Sequence, residues 1–427
     1  MKKWFVLGLG VKRWVFLLIG GILLTSLGLA LALVKFIVLG ALPLTFGFFE
    51  IGLVMLAGAA SIALSLYRLS KALLAPYRRH QQGAVIDLMY TYSRRAKGIK
   101  VVAIGGGTGL PASLRGLKSF TSNITAVVTV ADDGGSSGRL RREMGVLPPG
   151  DLRNNIAALA DDESLMTQLF QYRFKTGDLS GHAFGNLFIS ALSGVTGSLE
   201  SALIETERVL NIQGRVLPAT LTDVNLGARI LLPDERRTVT VEGESAISET
   251  GGAIEQIWLI PEGAAAYEGS VRAILEADLV VIGPGSLYTS ILPNMLVRGI
   301  GDALRATSAF KVYVCNIAQQ PGETDGYTLA EHVLALERHI GRGVFQAVIA
   351  NNVYPSTEEG ENRNTQYVYP APEHHEILQR YHIHYTDLVD ARRPWRHDAE
   401  KLGRAIVTLS QSERKGVALA KPVLAHV

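Results

Sequence analysis

The chain has 427 residues, of which 19 % are charged and 48 % apolar. That balance excludes an intrinsically disordered chain, and the length allows two or three domains. The single cysteine, Cys315, excludes a disulfide scaffold and any multi-cysteine metal site.

The net charge of +3 hides two opposed regions. Residues 1–100 hold 13 Lys and Arg against two acids, Glu50 and Asp87, so the remainder is net negative. A basic region beside a very apolar one suits anionic lipid, here the inner leaflet. A net-negative remainder argues against a broad nucleic-acid surface, and no nucleic-acid partner is expected. From Trp14 to Tyr67 the only charges are Lys35 and Glu50. One span needs about 20 apolar residues. Residues 14–34 read as one span and 48–67 as a second, with Lys35 and Pro43 in a turn between them. Lys2, Lys3, Lys12 and Arg13 precede the pair, and Arg68, Lys71, Arg78 and Arg79 follow it. The basic flanks predict a two-helix hairpin with both chain termini cytoplasmic. The alternative is a cleaved signal peptide with Ala30-Leu31-Ala32 as its cleavage site. The second apolar stretch and the basic residues after it oppose that alternative. The organisation expected is a basic N-terminus (1–13), the hairpin (14–67), a basic linker (68–99) and a soluble domain (100–427). The linker reads equally as a juxtamembrane amphipathic helix and as a solvated tether.

In the soluble part, residues 100–105 form a short apolar run that ends in glycine, as a buried parallel strand does. A helix over 112–120 and a strand over 124–130 follow. Asp151 can cap a helix running to Ala160. Strands at 279–282, 311–315 and 345–350 alternate with helices, including one over 327–340. This alternation predicts an α/β fold with a doubly wound, mostly parallel sheet. Residues 212–260 read as a β-rich insertion, with short strands at 216–220, 228–232 and 238–241.

The loops at the carboxyl ends of these strands carry the chemistry. Gly105, Gly106, Gly107, Thr108 and Gly109 bring backbone amides to a helix N-terminus, where an anion binds. The dinucleotide fingerprint fails at Leu110, and no Gly-Lys-Ser/Thr completes a P-loop. Asp132 and Asp133 follow the second strand, with Gly135, Ser136 and Ser137 in the same run. Paired carboxylates there can hold a divalent cation such as Mg²⁺, take a ribose hydroxyl, or shape an Asx turn. After Asp151, Arg153 and Asn154 lie in the first helical turn. His182 and Asn186, four apart, can share a helix face. Gly283, Gly285 and Ser286 form a second glycine loop, and two such loops on one sheet point to a ligand with two ends. Asn316, Thr324 and Asp325 follow the strand of Cys315, and Thr324 or Asp325 can cap the next helix. His374, His375, His382, His384 and His397 lack metal-ligand spacing and are expected on a solvated surface. Cys315 is expected to be inert.

The order GGGTGL, TVADDGGSSGRLR, LPPGDLRNN, LFQYRF, GHAFGNL, GRVLPAT, DLVVIGPGSLYTSILPN and VYVCNIAQQPGETDGYT resembles the YvcK-type gluconeogenesis-factor branch of the CofD-like family. The likeness is dense from Lys100 to Asn352 and continues weakly to His397 and Asp398. It implies a Rossmann-like fold that binds a UDP-activated sugar such as UDP-N-acetylglucosamine. It further implies a link to gluconeogenic growth, cell shape and wall synthesis, with cell-wall or carbon-metabolism enzymes as candidate partners. The other branch transfers a phospholactyl group from a nucleotide diphosphate donor with a divalent metal, and is the alternative activity. In the resemblance, Gly105 to Gly109 fall on the first glycine loop, and Asp132 and Asp133 on the acidic motif. The hairpin is the departure from soluble members. A homodimer is the candidate assembly, and no NAD, haem or zinc is expected.

Overall fold

The computed structural model describes residues 12–37, 47–78, 98–160, 165–232, 237–356 and 365–414. The chain divides into two compact units, residues 1–91 and 92–427.

The first unit is a helical hairpin of α1 (Lys12–Ile37) and α2 (Phe48–Arg78), packed against each other. The segments Arg13–Phe36 and Phe48–Leu69 are each long and apolar enough to cross a membrane, and they contain both predicted spans. α2 runs on to Arg78, so the start of the predicted linker is helical. Lys35, expected in the turn, lies instead in the last turn of α1; Pro43 and linker residues 79–97 lie outside the described residues. The two helices pack with their backbones close together. Small residues allow it here. A Cβ on Gly58 would lie 2.8 Å from the Thr25 nitrogen, and one on Gly21 3.0 Å from the Gly58 oxygen. Ser61 Oγ donates to the Leu17 carbonyl across the pair at 3.1 Å.

The second unit has ten strands among the described residues: β1 (Val101–Gly105), β2 (Ile124–Val128), β3 (Arg215–Pro218), β4 (Asn225–Leu232), β5 (Arg237–Glu242), β6 (Ala253–Ile260), β7 (Leu279–Ile282), β8 (Phe310–Val314), β9 (Ala347–Asn351) and β10 (His382–Thr386). Seven form one parallel sheet in the order β10-β9-β8-β7-β1-β2-β3. The other three form an antiparallel sheet in the order β5-β4-β6. Every residue of β1, β7 and β9 is buried, as a parallel sheet covered on both faces requires.

Two expectations about the insertion are corrected. β3 was placed in it but pairs in parallel with β2, in the main sheet. Its apolar run is too short for periodicity to assign it to either sheet. β6 was not foreseen and is the third strand of the insertion, which spans 225–260.

The helices that position the site are α3 (Leu110–Leu117), α4 (Gly135–Met144), α5 (Gly150–Leu159), α6 (Phe184–Thr196), α7 (Glu244–Thr250), α8 (Leu329–Ile340) and α9 (Ala399–Arg414). α3 packs on β1, and α9 packs on both α3 and β8. The α3–α9 contact is glycine on glycine: a Cβ on Gly403 would lie 2.6 Å from the Gly116 carbonyl carbon. With the insertion set aside, strand order reverses between β1 and β7. That reversal is the switch point of a doubly wound sheet, where ligands bind beyond the carboxyl strand ends.

Candidate functional site

Both glycine loops sit at the switch point. β1 leads into 105–109 and β7 into 283–286, and the two backbones touch. A Cβ on Gly109 would lie 2.6 Å from the Pro284 oxygen, and one on Gly107 2.9 Å from Ser290 Oγ. Gly107 and Gly283 have φ of 61° and 80°, which favour glycine. Side chains fix the seam. Asn294 Nδ2 donates to Gly105 O at 2.9 Å. Asn316 brackets Gly285, accepting from its N–H at 3.1 Å and donating to its carbonyl at 2.8 Å. Ser286 Oγ donates to Gln320 Oε1 at 2.5 Å.

In front of the seam lies a cleft of two lobes, about 530 and 270 Å³. These sizes suit a small-molecule ligand. Thr108, Arg115, Arg393, Arg396 and His397 line both lobes. Asn154 lies in the larger lobe, and Gly285, Ser286, Asn316 and Gln320 in the smaller. Arg393 and Arg396 come from the loop between β10 and α9. Asp390 shapes that loop, its carboxylate accepting from the Arg392 and Arg393 amides at 2.7 and 3.1 Å. These bonds hold Asp390 below the usual carboxylate range despite its partial desolvation. His397 Nε2 binds the Cys315 carbonyl at 3.1 Å, which ties the loop to the end of β8. Burial lowers His397 to about 4, so it is neutral near pH 7. The expectation of a solvated histidine surface is therefore corrected. His374 is exposed, His375, His382 and His384 are half-buried, and His397 lines the cleft. The contact with the end of β8 sets the position of His397, and spacing along the chain does not reveal it.

Behind the first glycine loop lies a group of carboxylates. Asp151 does not cap α5, because Pro149 occupies that position. Instead Asp151 Oδ2 accepts from the Gly107 N–H at 2.7 Å. One amide expected to meet a phosphate thus already meets a carboxylate. Burial, and next the charge of Asp132, raise Asp151 to about 7. Asp132 accepts from the Gly134 N–H at 2.9 Å, and burial raises it too, against the hydrogen bond from Ser137. Asp133 accepts from Ser245 N and Oγ at 3.0 and 2.8 Å, which anchors α7. Glu244, at the start of α7, is pushed well above its ordinary range by burial and then by Asp132, Asp151, Asp133 and Glu323. Glu323 is 2 % exposed. One of its oxygens takes Ser248, Thr289 and Gln320, and the other has no hydrogen-bond partner.

The remaining candidates sort clearly. His182 and Asn186 share no helix turn, since α6 begins at Phe184. They converge on Ser136 Oγ, which binds His182 Nδ1 and accepts from Asn186 Nδ2, each at 3.0 Å. Arg153 lies beside Asp151 and Asp132, and burial lowers it. Its guanidinium donates to Asn154 at 2.6 Å. Gly135 is exposed at the start of α4, with φ of 46°. Thr324 Oγ1 accepts from Gln320 N at 2.8 Å, and Asp325 accepts from Gly322 N at 2.6 Å. Neither caps α8. Thr328 does, in a capping box with Glu331. Among the described residues, no group of three or more His, Cys, Asp or Glu is arranged to hold a metal ion. Arg115, Arg393, Arg396, Glu244 and Glu323 were not foreseen. The Arg392-Arg393-Pro394-Trp395-Arg396 run was the available signal for the arginine loop, because cations clustered around a proline seldom merely solvate a helix face.

The sheet order and the paired glycine loops at its switch point define an α/β protein of the doubly wound class. The chain belongs to the CofD family: the family described as 2-phospho-L-lactate transferase CofD matches residues 101–389. The gluconeogenesis factor of Bacillus subtilis is 50 % identical over 254 residues, covering 59 % of this chain and 78 % of its own. A gluconeogenesis-factor relative from Nostoc sp. is 47 % identical over 369 residues, covering 83 % of this chain and 80 % of its own. The crystal structure of a UPF0052-family protein from Bacillus halodurans superposes with a TM-score of 0.68 at 41 % identity, covering 73 % of this chain and 99 % of that one.

Proposed function

We propose that the protein is a membrane-tethered regulator that binds a nucleoside-diphosphate sugar, of the UDP-N-acetylglucosamine type, on the cytoplasmic side. In this reading it links gluconeogenic carbon use to cell shape and wall synthesis. The observation that carries it is the arginine-lined cleft opening on two touching glycine loops at the switch point. Arg115, Arg393 and Arg396 supply charge-assisted donors to a diphosphate, with the Thr108 and Gly109 end of the loop beneath. Asp132, with Asp151 and Glu244 near it, lies behind the first glycine loop and outside the cleft lining, and would accept from a ligand hydroxyl that reaches past that loop. These carboxylates would not hold a metal ion unaided, since among the described residues no group of three or more is arranged for one, and a Mg²⁺ there would have to be carried in with the ligand's phosphates. Asp133 Oδ1 is taken by Ser245, so Asp133 has one oxygen left to offer and this role rests first on Asp132. Burial first, and like charge among the carboxylates next, raise Asp151 and Glu244, and a cation brought beside them would relieve the second.

The test is calorimetric binding of UDP-N-acetylglucosamine to the full chain in detergent, with and without Mg²⁺, against UDP, GDP and NAD. Selective, saturable binding without product supports the regulator. An Asp132→Ala variant that keeps full affinity sinks the carboxylate assignment. The family match to a transferase favours one second reading, metal-dependent transfer from a nucleotide diphosphate donor. Release of nucleoside monophosphate with donor, acceptor and Mg²⁺ present would move that reading ahead.

A further inference from the structure

The hairpin carries a cationic device that the soluble domain does not explain. Trp14 stands at the start of α1, and two guanidiniums rest on its one indole ring. Arg13 Cζ is 4.9 Å from the ring centroid, and Arg68 Cζ, from α2, is 5.3 Å away. The two cations are therefore within about 10 Å of each other, brought together from opposite arms of the hairpin. Each gains from the ring face, and both are exposed. The hairpin offers them no counter-charge. Glu50 is the only acid in residues 1–79, and it lies in the first turn of α2. Arg68 follows it by 18 residues, about 27 Å along the helix. Trp14 is half-buried at the edge of the span Arg13–Phe36, where an indole marks the headgroup level. The opposite end differs, with Lys35 Nζ over the Phe48 ring at 4.9 Å and Glu50 close by in sequence.

The geometry points to a headgroup site: Arg13 and Arg68, set by Trp14, hold the phosphate of an anionic phospholipid at the end where both arms meet. The site rests on the reading that the hairpin spans a membrane. It is independent of any ligand in the nucleotide cleft. The flat guanidinium pairs with phosphate in bidentate fashion, and stacking on the ring orders it in advance, which strengthens binding. Lys71 adds charge one turn further along α2.

The test is native mass spectrometry of the full chain in neutral detergent, with phosphatidylglycerol and phosphatidylcholine added in equal amounts. Wild type is expected to retain phosphatidylglycerol preferentially. At the strength of two surface cations, Arg13→Gln/Arg68→Gln is expected to lower that preference roughly 30-fold. Lys35→Gln is expected to leave it unchanged. Trp14→Leu, which keeps both charges, is expected to weaken it severalfold, and Arg13→Lys/Arg68→Lys to retain part of it. An unchanged preference in the Arg13→Gln/Arg68→Gln protein, or an equal loss in Lys35→Gln, overturns the site. Displacement of the lipid by millimolar inorganic phosphate also overturns it, in favour of a free-phosphate site. A protein that binds phosphatidylglycerol as wild type does but no UDP-sugar would refute the proposed function and leave this inference standing.

Discussion

Asp151 offers a test of the site's electrostatics, because its carboxylate is buried against a backbone amide and next to Asp132. Its folded value of about 7 lies above the ordinary 3.8. A raised carboxylate disfavours ionisation in the fold. The group therefore costs almost nothing below about pH 4, costs more as pH rises, and reaches its full cost above about pH 7. At 1.36 kcal/mol per unit the full cost is about 4 kcal/mol, and near pH 5 it is about 2 kcal/mol. Asp151→Asn removes this linkage while its Oδ1 can still accept from the Gly107 N–H. Denaturant unfolding of the full chain in detergent should show the variant more stable by up to about 4 kcal/mol at pH 8. The gain should shrink to about 2 kcal/mol at pH 5. In a domain of this size the pH 8 gain corresponds to a rise in Tm of about 5 °C. A gain equal at both pH values, or a loss at pH 8, would show that burial and Asp132 do not govern this group.

Arg393→Ala/Arg396→Ala should weaken nucleoside-diphosphate binding about 10- to 100-fold and flatten its salt dependence, read by calorimetry at two ionic strengths. Affinity within a factor of two of wild type would remove the loop from the site. Gly403→Leu should destabilise the soluble unit by about 3 kcal/mol, since no side chain fits against Gly116; unchanged denaturant midpoints would contradict the glycine contact. Cys315 is buried and pushed up to about 12. At pH 8 its thiol should react with a disulfide reagent at least about 1000-fold more slowly than free cysteine, and should react normally once the chain is unfolded. Rapid modification of the folded protein would show that β8 opens.

Much of the fold could be read in the residues because parallel strands are short apolar runs closed by glycine. Val101 to Gly105 and Leu279 to Ile282 carry that signature, and both hairpin helices are unmistakable by length. β3 defeated the reading because an apolar run of four residues does not say which sheet it joins. At the site, the glycine loops and Asp132 were legible as motifs. Their partners were not: Asp151 reaches Gly107 across 44 positions, and Ser245 reaches Asp133 across 112. A local pattern suggested a cap for Asp151 because capping is the commonest use of an acid before a helix. The packing of α5 against the first loop gave it a different hydrogen bond. The arginine loop lies beyond residue 389, where the family match ends, and its contact with the end of β8 together with the seating of α9 on α3 brings it to the glycines.

That loop leads straight into α9, and α9 is seated by Gly403 on Gly116 of α3, the helix that begins at the first glycine loop. Among the described residues, the first and last helices of the second unit thus form one clasp, with the cleft across its lips. A ligand held by the glycine loop and by Arg393 and Arg396 would latch that clasp. Amide hydrogens near the chain's far end would then report what is bound at its near end, exchanging more slowly in α9 whenever the cleft is filled. A partner protein that sensed only the C-terminal helix would have enough to read the ligand.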